Sequence, residues 1–371
     1  MSQYQPAALK FRVMISFHML HFFEPHRVPA MRALLGKPSA AQISPLTLLD
    51  CIQYMERKDV LNVTGLHDWL FQIKSIAAAL ERAGFLERHP SPPIYPAYFA
   101  VHQGATAAQS PGHLWLAPAL GPEFLVRSFG PATIAVTGDL ANGNQATGTG
   151  LLLDSTHILT NAHVVEDMTV HTELLTSSVA MPLSNSDTEP QRTVKVKGHT
   201  AHDTLDVAVI ELDEPEDEVS KHLTTATGGI AFRDPAWGDD SLTLGYPRVP
   251  FAREQTLVVH RGEVVNPGTL DFSRNTFFLF SATSRPGNSG GPIVAQDGRV
   301  IGIVSRSLEI DDAPAENSDP PTEDDAPTED TSSTRKPLAS SPFYAAVPTS
   351  EIQRALTDLG HPDLLNIERW T

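Results

Sequence analysis

Apolar side chains recur at helical spacing in three segments near the start of the chain, residues 9–23, 46–56 and 66–83. Few β-branched runs interrupt these segments, and breakers such as Pro25, Pro38 and Gly65 lie between them. The pattern predicts three helices in a compact domain over residues 1–92.

The third of these segments ends at Gly84 and leads into Phe85-Leu86-Glu87-Arg88, which favours a short strand. A helix followed by a strand in this way resembles the recognition helix and wing of a winged-helix domain. A plain helical adaptor is the alternative interpretation, and the sequence leaves both open.

The amino-acid composition of the chain changes between Pro90 and Pro122. This stretch contains five further prolines, at positions 92, 93, 96, 111 and 118, and many small side chains. Such a composition is typical of a linker or of an extended segment packed on a neighbouring domain. We therefore place a linker at residues 93–122 and expect a second domain over residues 123–371.

Short β-rich runs alternate with turn-forming residues from Pro131 onward. The predicted strands cover residues 132–137, 150–154, 157–160, 194–198, 207–212, 242–245, 257–265, 276–281, 292–295, 300–304 and 343–347. Their regular spacing indicates an all-β barrel domain. A closing amphipathic helix is expected over residues 349–359, with Ile352, Leu356 and Leu359 on its apolar face.

The formal net charge of -17 is unevenly distributed. Residues 1–115 carry 10 basic and 7 acidic side chains, whereas residues 309–371 carry 4 basic and 14 acidic ones. The total argues against a protein that binds nucleic acid through its overall charge. Residues 309–330 contain ten acidic residues, four prolines and no Lys or Arg, so they lack the apolar surface that ordering requires. We expect 309–341 to be a flexible loop inserted before the last strand, either inert and solvated or regulatory and substrate-excluding.

The single cysteine, Cys51, rules out an intrachain disulfide and favours a cytoplasmic location. The apolar run at 11–23 contains His18 and His21 and lacks a small-residue cleavage pattern, so a buried or amphipathic helix is favoured over a signal peptide. The sequence has no uninterrupted apolar stretch of about 18 residues, and no transmembrane span is expected.

Two short motifs offer a histidine and an acid. His163 follows an apolar strand and opens a turn of small residues, after the glycine-rich stretch 147–152. Asp206 leads directly into the apolar run 207–210. A carboxylate held at the edge of a core is well placed to accept a hydrogen bond from an imidazole and to fix its tautomer.

The third motif is the most specific, and it reads Arg285-Pro286-Gly287-Asn288-Ser289-Gly290-Gly291-Pro292. Glycines that flank a serine permit backbone conformations that turn two amide N–H groups, those of Gly287 and Ser289, toward one point, as an oxyanion hole requires. Neither zinc-ligand spacing nor a phosphate-binding glycine loop is present, so no metal and no cofactor are expected.

Taken in the order His163, Asp206, Ser289, at intervals of 43 and 83 residues, these motifs resemble the chymotrypsin-fold (trypsin-like) serine proteases, and most closely the HtrA-type bacterial proteases. The resemblance covers residues of about 125–308 and 342–360. It implies a multidomain α + β fold class, in which a small helical domain precedes an all-β, double-barrel, chymotrypsin-like protease domain with a C-terminal helix.

The resemblance also implies roles for these residues. Ser289 would attack the scissile carbonyl, His163 would act as general base and then general acid, and Asp206 would orient the imidazole. The N–H groups of Gly287 and Ser289 would form the oxyanion hole.

The sequence departs from the family pattern in two places. Asn288 stands where digestive and clotting relatives have the acid that pairs with a newly cleaved N-terminus, so activation by that route is not expected. HtrA-type proteases usually carry a C-terminal PDZ domain, which we do not expect here because the sequence ends soon after the closing helix. The N-terminal domain would take its place in the architecture.

The resemblance places the primary specificity pocket at Thr283, Ser284, Val304, Ser305, Arg306 and Ser307. Thr283 lies six residues before Ser289, at the position where a carboxylate would bind a Lys or Arg side chain, and threonine has no carboxylate. Arg306 and Ser307 replace the usual aromatic residue and glycine. The pocket is expected to prefer a small or medium uncharged residue before the cleaved bond, or alternatively an acidic residue attracted by Arg306.

The leading hypothesis is a cytoplasmic serine endopeptidase of protein or peptide substrates, controlled by a regulatory partner through its N-terminal domain and acting in bacterial stress or defence signalling. General protein quality control is the enzymatic alternative. An alternative of another class is a DNA-binding regulator with a self-cleaving protease switch. Only the small positive balance of residues 1–115 supports it, without a basic run, so neither nucleic acid nor membrane is an expected partner.

Overall fold

The computed structural model of the chain describes residues 8–38, 45–61, 66–90, 95–101, 111–305 and 343–367. Its first part contains the helices α1 (Leu9–Phe23), α2 (Val28–Leu34), α3 (Leu48–Arg57) and α4 (Leu66–Arg82) and the antiparallel strands β1 (Leu86–Arg88) and β2 (Tyr98–Ala100). The three predicted helices are confirmed, and α2 is an addition. The resemblance to a winged-helix domain stays a prediction.

Helix α1 is apolar around most of its circumference because it packs on several neighbours at once. Ile15, Met19 and Phe22 are fully buried in a core that continues into the β-rich part of the chain. The helix α3 begins at a capping box, in which the backbone N–H of Asp50 donates to Thr47 Oγ1 and the backbone N–H of Thr47 donates to the Asp50 carboxylate.

A short 3-10 helix (Pro111–Leu116) and the helices α5 (Ala117–Leu120) and α6 (Pro122–Phe129) connect the two parts. Leu116 and Phe124 are fully buried there. Residues 111–120, which we predicted as part of a linker, are therefore helical, and Leu114, Leu116 and Leu120 are buried. The domain boundaries themselves stay a prediction.

The next strands form a seven-stranded antiparallel sheet in the order β6-β3-β4-β5-β9-β8-β7. Its strands are β3 (Thr133–Asp139), β4 (Gln145–Leu152), β5 (His157–Thr160), β6 (Thr169–Val170), β7 (Glu173–Leu175), β8 (Thr193–Ala201) and β9 (Ala208–Leu212). A five-residue helix, α7 (Ala162–Glu166), follows β5. Strand β3 is buried along most of its length, and its apolar residues Ile134, Ala135 and Val136 are all buried.

A second β unit is a closed antiparallel barrel in the order β10-β11-β12-β15-β14-β13. Its strands are β10 (Asp240–Gly245), β11 (Val258–Leu270), β12 (Thr276–Phe280), β13 (Pro292–Ala295), β14 (Val300–Val304) and β15 (Tyr344–Pro348). The helix α8 (Asp217–Thr227) joins the two β units, and α9 (Thr349–Asp358) packs on the barrel through Ile352, Ala355 and Leu356.

The predicted fold class is confirmed in its architecture: a helical region precedes two β units and a C-terminal helix, with the second unit a closed barrel and the first a seven-stranded sheet. The acidic segment 309–341 lies outside the described residues. Among the helices that the structure describes, none combines the length and the apolar character needed to span a bilayer.

Candidate active site

His163 and Asp206 meet at one end of the seven-stranded sheet. His163 lies in the first turn of α7, directly after β5, and Asp206 lies two residues before β9, which pairs with β5. The carboxylate of Asp206 accepts a hydrogen bond from His163 Nδ1, with distances of 2.8 Å to Oδ1 and 3.0 Å to Oδ2. Asn161, which is fully buried, ties the two segments together because its side chain donates to the Asp206 carbonyl at 2.8 Å.

Asp206 receives two further donors. The backbone N–H of His163 donates to Oδ1 at 3.2 Å, and the hydroxyl of Ser305 donates to Oδ2 at 2.6 Å. Burial acts to raise the pKa of the Asp206 carboxyl, but the hydrogen bonds and charge of His163 and the bond from Ser305 outweigh it. The pKa of Asp206 therefore lies below its usual value, and the group is ionised at neutral pH.

Ser289 belongs to the other β unit, in the loop between β12 and β13. This loop crosses to the first sheet, since the backbone N–H of Thr149 in β4 donates to the Ser289 carbonyl at 2.8 Å. A Cβ atom on Gly290 would lie 2.2 Å from the Thr149 carbonyl oxygen and 3.1 Å from the backbone nitrogen of Asn161. Only glycine permits this approach, which seats Ser289 beside the segment that leads to His163.

The N–H groups of the loop are divided into two sets. Those of Asn288, Gly290 and Gly291 donate to backbone carbonyls. Within the described structure, those of Gly287 and Ser289 have no protein acceptor. Gly287 has a φ of +101°, a conformation that glycine adopts without strain. The two amides predicted for an oxyanion hole are thus the two that remain available to a ligand.

The structure shows no hydrogen bond between His163 Nε2 and the Ser289 hydroxyl. In serine hydrolases such a contact commonly becomes short and well aligned only in the Michaelis complex. In this structure the bond of His163 to Asp206 is thus already formed, and we expect the bond to Ser289 to form when substrate binds.

The residues predicted for a specificity pocket have different environments. Thr283 is exposed and Ser284 is half-buried, just before the Ser289 loop. Val304 is fully buried at the end of β14, in the core of the closed barrel, and Ser305 follows it. Arg306 and Ser307 lie outside the described residues.

Sequence reasoning missed two contacts at this site. The assignment of Ser305 to the substrate pocket stays a prediction, and it did not include the bond that the Ser305 hydroxyl donates to the carboxylate of Asp206. Sequence reasoning treated Thr149 as one residue of a glycine-rich strand, whereas its hydroxyl donates to the Gly287 carbonyl at 2.6 Å. The position of Thr149 between Gly148 and Gly150 was the one available signal, because paired glycines mark close backbone approach.

Comparison with known proteins agrees with this geometry. The sequence model of the family described as "Trypsin-like peptidase domain" matches residues 148–303, which include His163, Asp206 and Ser289. The chain is thus similar to this family over the matched residues. They lie within the two β units, and the helices before residue 111 lie outside the match.

Two relatives by sequence and one solved structure are similar to part of this chain. "Putative protease Do-like 12, mitochondrial" from Arabidopsis thaliana is 30% identical over 166 residues, 43% of this chain and 29% of that protein. "Putative serine protease HhoB" from Synechocystis sp. is 28% identical over 165 residues, 43% of this chain and 34% of that protein. The matched region thus spans about a third or less of these relatives. The solved structure of the Rv3671c protease from M. tuberculosis, active form, aligns with a TM-score of 0.41 and 17% identity, over 64% of this chain and 84% of that chain.

Proposed function

We propose that the protein is a serine endopeptidase that cleaves protein or peptide substrates through an acyl-enzyme intermediate. The observation that supports it best is the arrangement of Asp206, whose ionised carboxylate is held by three donors and fixes His163 with Nε2 facing away from it. An imidazole fixed in this way carries its proton on Nδ1 and keeps Nε2 free to act as a base.

The mechanism begins with attack of the Ser289 oxygen on the scissile carbonyl carbon, while the hydroxyl proton passes to His163 Nε2. The developing oxyanion is stabilised by the free N–H groups of Gly287 and Ser289. Collapse of the tetrahedral intermediate breaks the C–N bond, and His163 returns the proton to the leaving amine. Water then repeats the sequence on the ester and releases the acid and the free Ser289.

Substitution of Ser289 tests this proposal. We expect Ser289→Ala to abolish cleavage of fluorescently labelled casein while leaving the circular dichroism spectrum and the thermal melt unchanged. Ser281→Ala is the matched control, since Ser281 is exposed at the end of β12 and lies outside the site. Casein cleavage by Ser289→Ala at the wild-type rate would contradict the assignment.

We further propose that the N-terminal helical region controls the peptidase domain and receives the regulatory partner. Arg12 in α1 forms an ion pair with Glu123 in α6 and donates to the Leu120 carbonyl at 3.1 Å. The carbonyl of Leu114 lies so close to Gly298 that a Cβ there would be 2.6 Å away. Gly298 lies in the turn between β13 and β14, the strands whose far ends carry Ser289 and Ser305. In this proposal, a displacement of the helices is transmitted through these contacts to Ser289 and Ser305.

Arg12→Met tests this coupling. Networks of this kind modulate distant sites by factors of about 2 to 30, so we expect a lower kcat with little change in KM. Lys197→Met is the control, because Lys197 in β8 forms an exposed ion pair with Glu211 in β9, within the seven-stranded sheet. A wild-type kcat for Arg12→Met would contradict regulation through this contact.

The substrate preference and the setting of the enzyme are also proposals. Thr283 and Ser284 support cleavage after a small or medium uncharged residue, and the single cysteine, Cys51, supports a cytoplasmic location. A role in bacterial stress or defence signalling is proposed as the setting of the enzyme. Proteomic profiling of cleavage sites in cells that carry wild type or Ser289→Ala, with fractionation, tests both. Cleavage mainly after Lys or Arg, or recovery of the chain outside the cytoplasm, would contradict them.

A further inference from the structure

Thr149 is fully buried in β4, and each of its polar groups has a partner. Its N–H donates to the Ser289 carbonyl and its carbonyl accepts from Thr160 Oγ1 at 2.7 Å. Its hydroxyl donates to the Gly287 carbonyl at 2.6 Å and accepts from the backbone N–H of Tyr246 at 2.9 Å. One residue thus binds both carbonyls that flank Asn288 in the candidate oxyanion loop.

The hydrogen bond from the Thr149 hydroxyl acts on Gly287, a residue whose backbone conformation changes easily. A Cβ on residue 287 would lie 2.5 Å from the Tyr246 carbonyl oxygen, so only glycine fits there. Glycine has no side chain that would hold its backbone at a φ near +101°, so the orientation of the Gly287 amide depends on other contacts. The Gly287 carbonyl, bound by Thr149, fixes the plane of the peptide bond that follows.

The other backbone hydrogen bonds of this loop show which of its peptide planes are held in place. The N–H of Asn288 donates to the Arg285 carbonyl at 2.9 Å, and the N–H of Gly291 donates to the Asn288 carbonyl at 2.9 Å. The second bond orients the Asn288–Ser289 peptide and hence the N–H of Ser289. Among the described residues, no hydrogen bond holds the Pro286–Gly287 peptide, which carries the N–H of Gly287. The next peptide is held by two bonds, from the Thr149 hydroxyl to the Gly287 carbonyl and from the N–H of Asn288, and the Thr149 bond acts on the Gly287 N–H across the Cα atom of this one residue.

We infer that Thr149 is a positioning residue that holds the Gly287 amide of the oxyanion hole through its side-chain hydroxyl. The inference rests on the proposed peptidase function and goes beyond it, because it assigns the geometry of the hole to a residue of the other β unit. Loss of one oxyanion donor lowers kcat by about 10²–10³-fold. Thr149→Val, which keeps the shape and removes the hydroxyl, is expected to lower kcat by about 10²-fold with KM nearly unchanged.

A fluorophosphonate reagent provides a second measurement that reports on the hole. Ser289 Oγ forms a bond to phosphorus, the P–F bond breaks and fluoride leaves, while the hydroxyl proton passes to His163. The phosphoryl oxygen occupies the oxyanion site during this step. We expect the labelling rate of Thr149→Val to fall in parallel with kcat, and Thr149→Ser, which restores the hydroxyl, to remain within about threefold of wild type.

Two controls separate positioning from damage to the fold. Thr133→Val removes an equally buried hydroxyl in β3, whose partner is the Phe129 carbonyl at 2.8 Å, and it should leave kcat and labelling unchanged. The acid limb of the kcat/KM profile should keep its midpoint in Thr149→Val, because the pair of His163 and Asp206 is intact. If Thr149→Val does not fold, Thr149→Ala removes the same hydroxyl and carries the same prediction.

The outcomes are distinct. Slow labelling and low kcat in Thr149→Val or Thr149→Ala, with recovery in Thr149→Ser, support the inference. Wild-type labelling in a folded variant without the hydroxyl overturns it, as does a folded Thr149→Ser variant that is as slow as Thr149→Val. A wild-type chain that neither cleaves casein nor reacts at Ser289 would instead overturn the proposed function.

Discussion

Replacing Asp206 by asparagine is the sharpest test of the site, because it changes one oxygen atom to an amide nitrogen and keeps the size of the side chain. The carboxylate now accepts from His163 Nδ1, from the backbone N–H of His163 and from Ser305. All three are donors. An amide offers one acceptor oxygen and an NH₂ group, so it cannot satisfy the same set.

The substitution also moves the proton of the imidazole from one ring nitrogen to the other. His163 Nδ1 lies within 3.0 Å of both carboxylate oxygens, so the new NH₂ group can donate to Nδ1 in either orientation of the amide. The proton of His163 then moves to Nε2, which loses its lone pair toward Ser289. The negative charge that stabilises the imidazolium is lost as well. In triads of this kind the same change lowers kcat by about 10⁴-fold, which corresponds to about 5.5 kcal/mol in the barrier.

The assay is the steady-state hydrolysis of a fluorogenic peptide whose sequence comes from a mapped cleavage site. Asp154→Asn is the matched control, because Asp154 accepts from His157 Nδ1 at 2.9 Å in a similar pair outside the site. We expect Asp154→Asn to keep kcat within about twofold of wild type, as is usual for surface changes remote from the chemistry. A folded Asp206→Asn variant that retains a tenth or more of the wild-type kcat would refute the assignment of Asp206.

Two further predictions concern neighbours of the triad. Ser305→Ala removes a donor to Asp206, whose folded pKa is depressed, so its stabilisation is present above the unfolded pKa of about 3.9 and is lost as pH falls through the lower folded value. The variant should therefore be about 1–2 kcal/mol less stable than wild type in urea at pH 7, and this difference should shrink as the pH is lowered. A loss that does not change with pH would contradict the charge-assisted bond. Gly287→Ala places a Cβ 2.5 Å from the Tyr246 carbonyl oxygen at a φ of +101° and should lower kcat by about 10²-fold or more. Gly143→Ala, at a φ of +79° with open space around it, should share only the backbone strain of about 1–2 kcal/mol and keep full activity, and equal kcat values in the two variants would contradict the account.

The regular elements could be predicted because their signal is local. The strands that contain residues 157–160, 292–295 and 300–304 are found where the apolar runs predicted them, and α1 coincides with its predicted segment. The order His163, Asp206, Ser289 could be predicted because short motifs surround each residue. The helices α2, α5, α6, α7 and α8 were not predicted. The first four have only four to eight residues each, and α8 has few apolar positions.

The contacts that complete the site could not be predicted, because each joins residues that are distant in sequence. Ser305 and Asp206 are separated by 99 positions, and Thr149 and Gly287 by 138. No pattern in the sequence identifies the hydrogen-bond partner of a serine or threonine side chain. Their roles follow from the way the two β units face each other, which the pairing of strands within each unit does not specify.

The central claim is that Ser289 is the nucleophile of a serine endopeptidase, and peptide-mapped mass spectrometry after fluorophosphonate treatment tests it most directly. The account predicts one adduct, on Ser289, together with loss of casein cleavage, and no adduct in Ser289→Ala. An adduct on another residue, or continued casein cleavage by chain that is fully labelled at Ser289, would contradict it.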